Sequence, residues 1–208
     1  MLQPAWTLVL AAAALAQSPD SGNIVRHGAI ATLSIDAARP LHAAALAFGE
    51  NYGIAVNAED PPYLYAGDLR YVTIASPEGD SNIRVLAPKG GRLEISYPVA
   101  PDGQPLDIDG LIARIVETYN RDFPFRYRLD RSHGGYTFIP VAARDGEGNL
   151  RPIAPLLDLD ISIPAGYRGA EDALDLVGER LSAQVPVHIV CCGFSAGALV
   201  LQRRWSQP

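Results

Sequence analysis

The residues best suited to chemistry in this sequence form the stretch Gly193-Phe194-Ser195-Ala196-Gly197, which matches the pattern GxSxG. In α/β-hydrolases that pattern places a nucleophilic serine on a sharp turn between a strand and a helix, and the acid and the histidine follow later in the chain. All four histidines precede Ser195, namely His27, His42, His133 and His188. Because short motifs also match by chance, we predict a glycine-rich turn here. A serine hydrolase that uses Ser195 is the alternative.

The remaining metal-binding and phosphate-binding residue types lack the spacing that such sites require. The histidines fall in separate predicted elements, so a converging metal site would need a coincidence of folding. Cys191 and Cys192 are the only cysteines and are adjacent, which suits neither a metal site nor a disulfide framework. The stretch Lys89-Gly90-Gly91 is too short for a phosphate-binding loop and predicts a turn. We therefore predict no metal site and no cofactor.

A second stretch of interest runs from Glu59 to Asp68 and contains two prolines, two tyrosines and three carboxylates. Tyr63, Tyr65 and Asp68 are its candidate binding residues, and a calcium loop is one form that such a site takes. Calcium loops carry their carboxylates at a tighter spacing, whereas paired prolines stiffen turns. We therefore favour a rigid turn whose tyrosines cover the neighbouring helix, with a ligand-binding loop as the alternative.

The composition indicates a globular protein that does not bind nucleic acid. The chain has 208 residues, of which 48% are hydrophobic, enough for one core or two small ones. Its formal charge is -6 and its pI is near 5.1. A nucleic-acid-binding surface needs a stripe of basic residues. The longest run of basic residues in this sequence is Arg203-Arg204, which is too short to form one.

The N-terminus predicts export. Residues 1–16 carry no charged side chain, include an apolar run from Thr7 to Leu15, and end in the small-x-small pattern Ala14-Leu15-Ala16. This arrangement is typical of a secretory signal peptide. An uncleaved anchor is the alternative, although the run is shorter than the roughly 18 to 20 apolar residues that span a membrane. Residues 17–30 are rich in small and polar residues and predict a flexible segment.

Apolar periodicity predicts two helices among short strands in residues 31–143. One helix has its apolar face at Leu41, Ala45, Phe48 and Tyr52, with Pro40 at its start and Gly53 at its end. The other has Ile108, Leu111, Ile115 and Tyr119 on one face, with Asp107 or Asp109 as its cap. Alternation and turn residues predict strands at 31–36, 54–56, 69–74, 83–86, 93–97, 125–130 and 136–141.

A second, shorter unit is predicted after a polar linker at residues 144–155. It comprises a strand at 156–163, a helix with Ala170, Leu174, Val177 and Leu181 on one face, and a strand at 187–190. That spacing repeats the spacing of the first helix. The predicted fold is therefore α+β: a small βαββαββ-type domain followed, in residues 156–208, by a partial second βαβ unit.

The first unit resembles the short N-terminal domain of secretins and TonB-dependent receptors, the STN domain. The resemblance rests on four segments, Ser34-Ile35-Asp36-Ala37, Pro40-Leu41, Ala44-Ala45-Leu46 and Tyr52-Gly53-Ile54-Ala55-Val56. It covers residues 31–141, with a fainter half-copy from Leu156. It implies a periplasmic location and contacts with other envelope proteins, and it carries over no catalytic residues.

The function predicted from the sequence is a non-enzymatic, exported protein–protein interaction domain of the cell envelope, in secretion or signalling assemblies. The expected partner is an envelope or periplasmic protein, with no membrane span after signal cleavage. Sheets of short strands leave edges with free backbone groups, so we also expect self-association through an exposed strand edge.

Overall fold

The computed structural model describes residues 22–75, 82–131, 134–166, 169–183, 187–192 and 198–203. These residues form helices and strands in several sheets, which confirms the α+β class. The helices are α1 (Pro40–Tyr52), α2 (Ile108–Asp122) and α3 (Ala170–Ser182). The strands are β1 (Asn23–His27), β2 (Ile30–Ala37), β3 (Val56–Glu59), β4 (Leu69–Ala75), β5 (Asn82–Pro88), β6 (Gly91–Pro98), β7 (Arg126–Asp130), β8 (Tyr136–Arg144), β9 (Leu150–Pro152), β10 (Val187–Cys192) and β11 (Ala198–Arg203). Within this part of the chain, none of the helices has the length and apolar character needed to cross a membrane.

The strands form two larger sheets and one isolated pair. The first sheet has the order β1-β2-β6 and is antiparallel throughout. The second has the order β10-β11-β3-β8-β7, with β9 paired to β8. In it β3 runs parallel to both β11 and β8, and the outer pairs are antiparallel. Among the described strands, β4 and β5 pair only with each other, and we call this antiparallel pair the ribbon.

Helix α1 lies between the two larger sheets. It packs against β2 of the first sheet and against β3 of the second. Its residues from Pro40 to Ala45, together with Ala47 and Phe48, are all buried, so the helix is enclosed on more than the single face predicted. Alanines at these positions let both sheets approach the helix axis closely. The predicted ends are confirmed, with Pro40 in the first turn and Gly53 in a left-handed C-cap at φ +66°.

Helix α2 shows the predicted amphipathic pattern and the predicted cap. Leu111, Ile112, Ile115, Val116 and Tyr119 are buried, and the opposite face is exposed. The Asp107 carboxylate accepts a hydrogen bond of 2.8 Å from the backbone N–H of Gly110, which satisfies one of the free amides at the start of the helix. Helix α2 packs against β7 and β6 and so closes the core beside α1.

The segment predicted to be flexible contains a strand. Residues 23–27 form β1 and pair with β2 through a two-residue turn in which Gly28 has φ +64°. Ile24 packs partly against the core, which offsets the entropy of ordering the segment. The prediction at 17–30 was therefore wrong for this strand, and residues 1–21, with the predicted signal peptide, lie outside the described residues.

The predicted linker at 144–155 also holds regular structure. The Asp145 carboxylate accepts from the backbone N–H groups of Glu147 and Asn149 at 3.0 and 2.9 Å. These bonds close a turn that brings β9 back along β8. The polar composition therefore marked a hairpin tip rather than a linker.

The C-terminal segment does not form the separate partial βαβ unit that the sequence predicts. Helix α3 forms as predicted, but the strand predicted at 156–163 is a 3₁₀ turn at Leu156–Asp158 followed by irregular chain. Strand β11 pairs in parallel with β3, so the last strands extend the sheet of the first unit. Strands β2 and β3 lie in different sheets. Helix α1 therefore connects two sheets and is not the crossover helix of a βαβ unit.

Candidate functional site

The stretch from Glu59 to Asp68, which we call the acidic loop, buries all three of its carboxylates. Glu59 is 0% exposed, Asp60 2% and Asp68 6%. A buried carboxylate is costly unless charged partners or hydrogen bonds compensate it. The partners of each side chain therefore decide what the loop can do.

Glu59 binds the C-terminal segment. Its two carboxylate oxygens accept from the backbone N–H groups of Leu156 and Leu157, at 2.7 and 3.2 Å. Its backbone carbonyl accepts a bond of 3.1 Å from the buried hydroxyl of Tyr127. Because the backbone N–H groups of Leu156 and Leu157 donate to Glu59, they cannot donate to a neighbouring strand. This explains why the chain forms a 3₁₀ turn here. Glu59 is a structural anchor.

Asp60 binds the residues at the start of α1. The Nε of Arg39 donates to Asp60 Oδ2 at 2.8 Å, in a pair with side chains 13% and 3% exposed. His42 Nε2 lies 3.4 Å from Asp60 Oδ1, and the Tyr63 hydroxyl donates to the same oxygen at 3.4 Å. Arg39 immediately precedes α1, so this group fixes the acidic loop against the first turn of the helix. Asp60 is fully engaged within the protein.

Asp68 differs from the other two carboxylates because only one of its oxygens has a close partner in the described part of the chain. Arg144 Nη1 lies 3.3 Å from Oδ1, whereas Oδ2 is buried with no hydrogen-bond partner among the described residues. Burial raises the pKa of Asp68, and the positive charges of Arg144 and Lys89 only partly oppose it. The acidic loop thus ends on an under-satisfied acceptor.

A small cleft opens beside Asp68. The residues that line it include Tyr63, Lys89, Tyr119, Phe123 and Phe125. The cavity volume is about 30 Å³, compared with roughly 10–15 Å³ for a single water molecule. The cleft therefore accepts a small group rather than a large ligand.

The aromatic walls are packed tightly. Tyr119 stacks on Phe123 with ring centres 4.3 Å apart, and Tyr63 meets Phe125 edge to face at 5.1 Å. Burial, followed by the nearby Asp60 carboxylate, raises the pKa of both Tyr63 and Tyr119. Both phenols therefore stay neutral at physiological pH and can act as hydrogen-bond donors.

The structure brings together two of the three loop candidates. Tyr63 and Asp68 both line the cleft, whereas Tyr65 lies outside its lining and places its ring 5.6 Å from the Arg144 guanidinium. Sequence reasoning missed Lys89 and Phe125, which reach the cleft from distant parts of the chain. The stretch Lys89-Gly90-Gly91 marked a turn there, but its proximity to Asp68 depends on β4 pairing with β5.

The other candidate, Ser195, lies outside the described residues, as do its neighbours from 193 to 197. The strands on either side, β10 and β11, are antiparallel neighbours with Cys192 opposite Ala198. An α/β-hydrolase needs a strand followed by a helix at this motif, and here a strand follows a strand. Within the described residues, no three His, Cys, Asp or Glu side chains cluster as metal ligands would.

Comparison of the chain with protein-family models, with curated proteins and with solved structures found no match. The resemblance to STN domains therefore stays a prediction from the sequence.

Proposed function

We propose that this chain is an exported, non-enzymatic protein-binding domain of the cell envelope, and that the ribbon is the part that contacts the partner, in a secretion or signalling assembly. The observation that carries the proposal is the isolation of the ribbon. Among the described elements, its only substantial neighbour besides its own two strands is the 3₁₀ turn at Ala66–Asp68 that leads into it.

An isolated two-stranded ribbon is marginally stable in water, so contact with a partner accounts for the ribbon better than a role in filling the core. Both outer edges of the ribbon present backbone N–H and C=O groups to which a further strand can add. Its surface also carries the residue types that are enriched at protein interfaces. Tyr71 is 62% exposed, and the Arg84 guanidinium lies 4.6 Å from the centre of its ring.

The proposed location and partner class follow from the N-terminal sequence and the charge. A signal peptide at residues 1–16 directs the chain to the periplasm or the exterior, and a formal charge of -6 disfavours nucleic acid as a partner. N-terminal sequencing of the exported product tests the first point, because a chain that still starts at Met1 contradicts cleavage.

Site-specific photo-crosslinking in intact envelopes tests the role of the ribbon. A photoreactive residue at Tyr71 is expected to give a discrete adduct, and the same residue at Leu106, which is 65% exposed but far from the ribbon in sequence, is expected to give none. The adduct should weaken on Arg84→Glu. Equal labelling from both positions, or no adduct from Tyr71, contradicts the proposal.

Self-association is a second outcome. Within the described residues, β10 pairs on one side only and forms an edge of the larger sheet, so a second copy can add there. A dimer in light scattering would show self-association, and an adduct from Tyr71 at twice the mass of the chain would place the ribbon, rather than β10, in that interface.

A further inference from the structure

The register of the ribbon determines which of its backbone groups face outward. The Lys89 backbone N–H donates to the Asp68 carbonyl at 2.8 Å, and these two residues lie one step beyond the pair formed by Leu69 and Pro88. In an antiparallel ladder, pairs that exchange hydrogen bonds alternate with pairs whose N–H and C=O groups point away from the partner strand. Because the register is continuous from that bond onward, every second residue of β4, beginning with Leu69, points its backbone groups to the outer edge.

The outer edge of β4 presents backbone groups that a further strand can use. The N–H and C=O groups of Tyr71 and Thr73 point outward and have no hydrogen-bond partner among the described residues. Leu69 adds no donor, because its N–H donates to the Ala66 carbonyl. Both Tyr71 and Thr73 are exposed, so the strand can be approached from this side.

The outer edge of β5 is less suited to strand addition. Its outward positions are Asn82, Arg84, Leu86 and Pro88, which pair with the outward positions of β4. Proline has no N–H, so this edge lacks a donor at Pro88. Residues 85–87 are half-buried and Pro88 is buried. Strand β4 is therefore the more accessible of the two strands.

The charged side chains beside the β4 edge are basic. Together with Lys89, which follows β5, the described strands of the ribbon carry Arg70 and Arg84 and no acidic residue, in a chain of formal charge -6. Arg70 is exposed on β4, and the Arg84 guanidinium lies 4.6 Å from the centre of the Tyr71 ring on the same strand. A segment with carboxylates therefore complements this edge, whereas a basic segment is repelled. The connection between the strands has two acidic residues, but it lies outside the described residues and is not part of the site.

We propose that an extended, acidic segment of the partner protein adds to the outer edge of β4 as a third strand. This inference rests on the proposed function and names the edge, the backbone contacts and the charge of the segment. The segment accepts hydrogen bonds from the N–H groups of Tyr71 and Thr73 and donates to their carbonyls, and its carboxylates lie near Arg70 and Arg84. A third strand also gives the ribbon the smallest number of strands that forms an independently stable sheet.

Proline at an outward position tests this edge in the full chain. Thr73→Pro removes an outward donor and places the proline ring where the added strand would lie, and Leu86→Pro makes the matched change on the outer edge of β5. Neither N–H belongs to the ladder between β4 and β5, so the ladder should persist in both variants. Slow exchange of the Val72 amide, which lies inside the ladder, checks this. With the photoreactive residue at position 71, Thr73→Pro should lower the yield of the partner adduct about tenfold, and Leu86→Pro should leave it unchanged.

A defined peptide tests the same edge in the absence of the partner. The probe is a hexapeptide of alternating glutamate and valine, blocked at both ends. One control has lysine in place of glutamate, and the other is the glutamate peptide methylated on every backbone nitrogen. At saturation the probe should slow amide exchange of Tyr71 and Thr73 by at least about tenfold and leave Arg84 and Leu86 unchanged. Neither control should slow exchange at any of these residues.

The outcomes separate this inference from the proposed function. Absence of any adduct from position 71 in the otherwise unchanged chain contradicts the proposed function. An adduct that persists in Thr73→Pro with an intact ladder, or that is lost equally in Leu86→Pro, leaves the proposed function standing and overturns the addition to β4. An adduct at twice the mass of the chain assigns the strand to a second copy and overturns the acidic partner. Equal slowing on β5, equal slowing by either control peptide, or no slowing by the glutamate peptide also overturns the inference.

Discussion

Replacing Glu59 by glutamine tests whether a single buried carboxylate holds the C-terminal segment to the first unit. In the native protein both carboxylate oxygens accept backbone N–H groups, from Leu156 and Leu157. Glutamine has the same shape but only one acceptor oxygen, and its NH₂ group would face an N–H donor. One amide must therefore lose its partner, and the other bond loses its charge.

The expected cost follows from those two losses. A buried donor without a partner costs about 1–3 kcal/mol, and the change from a charged to a neutral acceptor costs about 1 kcal/mol more. The side chain of Leu157 is 46% exposed, so water can reach that end of the turn and lower the sum. We expect a loss of about 2–3 kcal/mol in the free energy of unfolding, since one of the two bonds survives. For a domain of this size it corresponds to a fall in Tm of about 4–12 °C.

Urea unfolding and amide hydrogen exchange measure the effect globally and locally. The amides of Leu156 and Leu157 should exchange roughly 30- to 150-fold faster in Glu59→Gln, if the segment opens on its own. Glu94→Gln is the matched control, because the Glu94 side chain on β6 is 48% exposed and surface changes usually stay within about 0.5 kcal/mol. If the two variants have the same stability and the same exchange rates, the anchoring role of Glu59 is refuted.

Three further predictions concern Asp68, Tyr119 and Gly90. Burial raises the pKa of Asp68, so its ionisation costs stability above that pKa. Asp68→Asn should consequently be at least as stable as the wild type at pH 7 by urea unfolding, and its advantage should shrink as the pH falls below the raised pKa and vanish below the ordinary carboxyl pKa. Burial also raises the pKa of Tyr119, so its absorbance change at alkaline pH should coincide with loss of circular dichroism rather than precede it. Gly90→Ala should destabilise the protein by about 2 kcal/mol or more in thermal unfolding, because φ is +60° and a Cβ would lie 1.9 Å from the Ala37 carbonyl oxygen. Gly146→Ala, with open space around it, should be neutral or stabilising by at most about 1 kcal/mol.

Local features of the sequence were sufficient to locate helices α1 and α2. The apolar spacing from Leu41 to Tyr52 and from Ile108 to Tyr119, together with Pro40 and Gly53, located α1 and α2 within a residue or two. Caps and periodicity act within a few residues of one another, so one sequence contains the whole signal. The strands from β4 to β8 followed from alternation and turn residues for the same reason.

The segments that were wrong depend on contacts made far along the chain. Nothing within residues 23–27 shows that β2 offers them an edge, and their polar neighbours predicted flexibility. Leu156 begins an apolar run typical of a strand, but its amide is held by a residue 97 positions earlier. Long-range pairing overrides local propensity in both cases. The prediction of a second βαβ unit depended on the same apolar spacing in α1 and α3. That spacing does not determine which sheet the strands after each helix join.

The acidic loop shows what the sequence could not separate. The sequence predicts a proline-stiffened turn there, but it makes the three carboxylates look equivalent. The fold separates them. Glu59 receives two backbone amides and Asp60 an arginine, while Asp68 receives one arginine at 3.3 Å and has, among the described residues, no partner for its second, buried oxygen. A carboxylate serving only stability would gain from a second donor. Among the described residues, the burial of Asp68 is therefore the least compensated of the three, which is the physical reason why Asp68→Asn is expected to be no less stable than the wild type at pH 7.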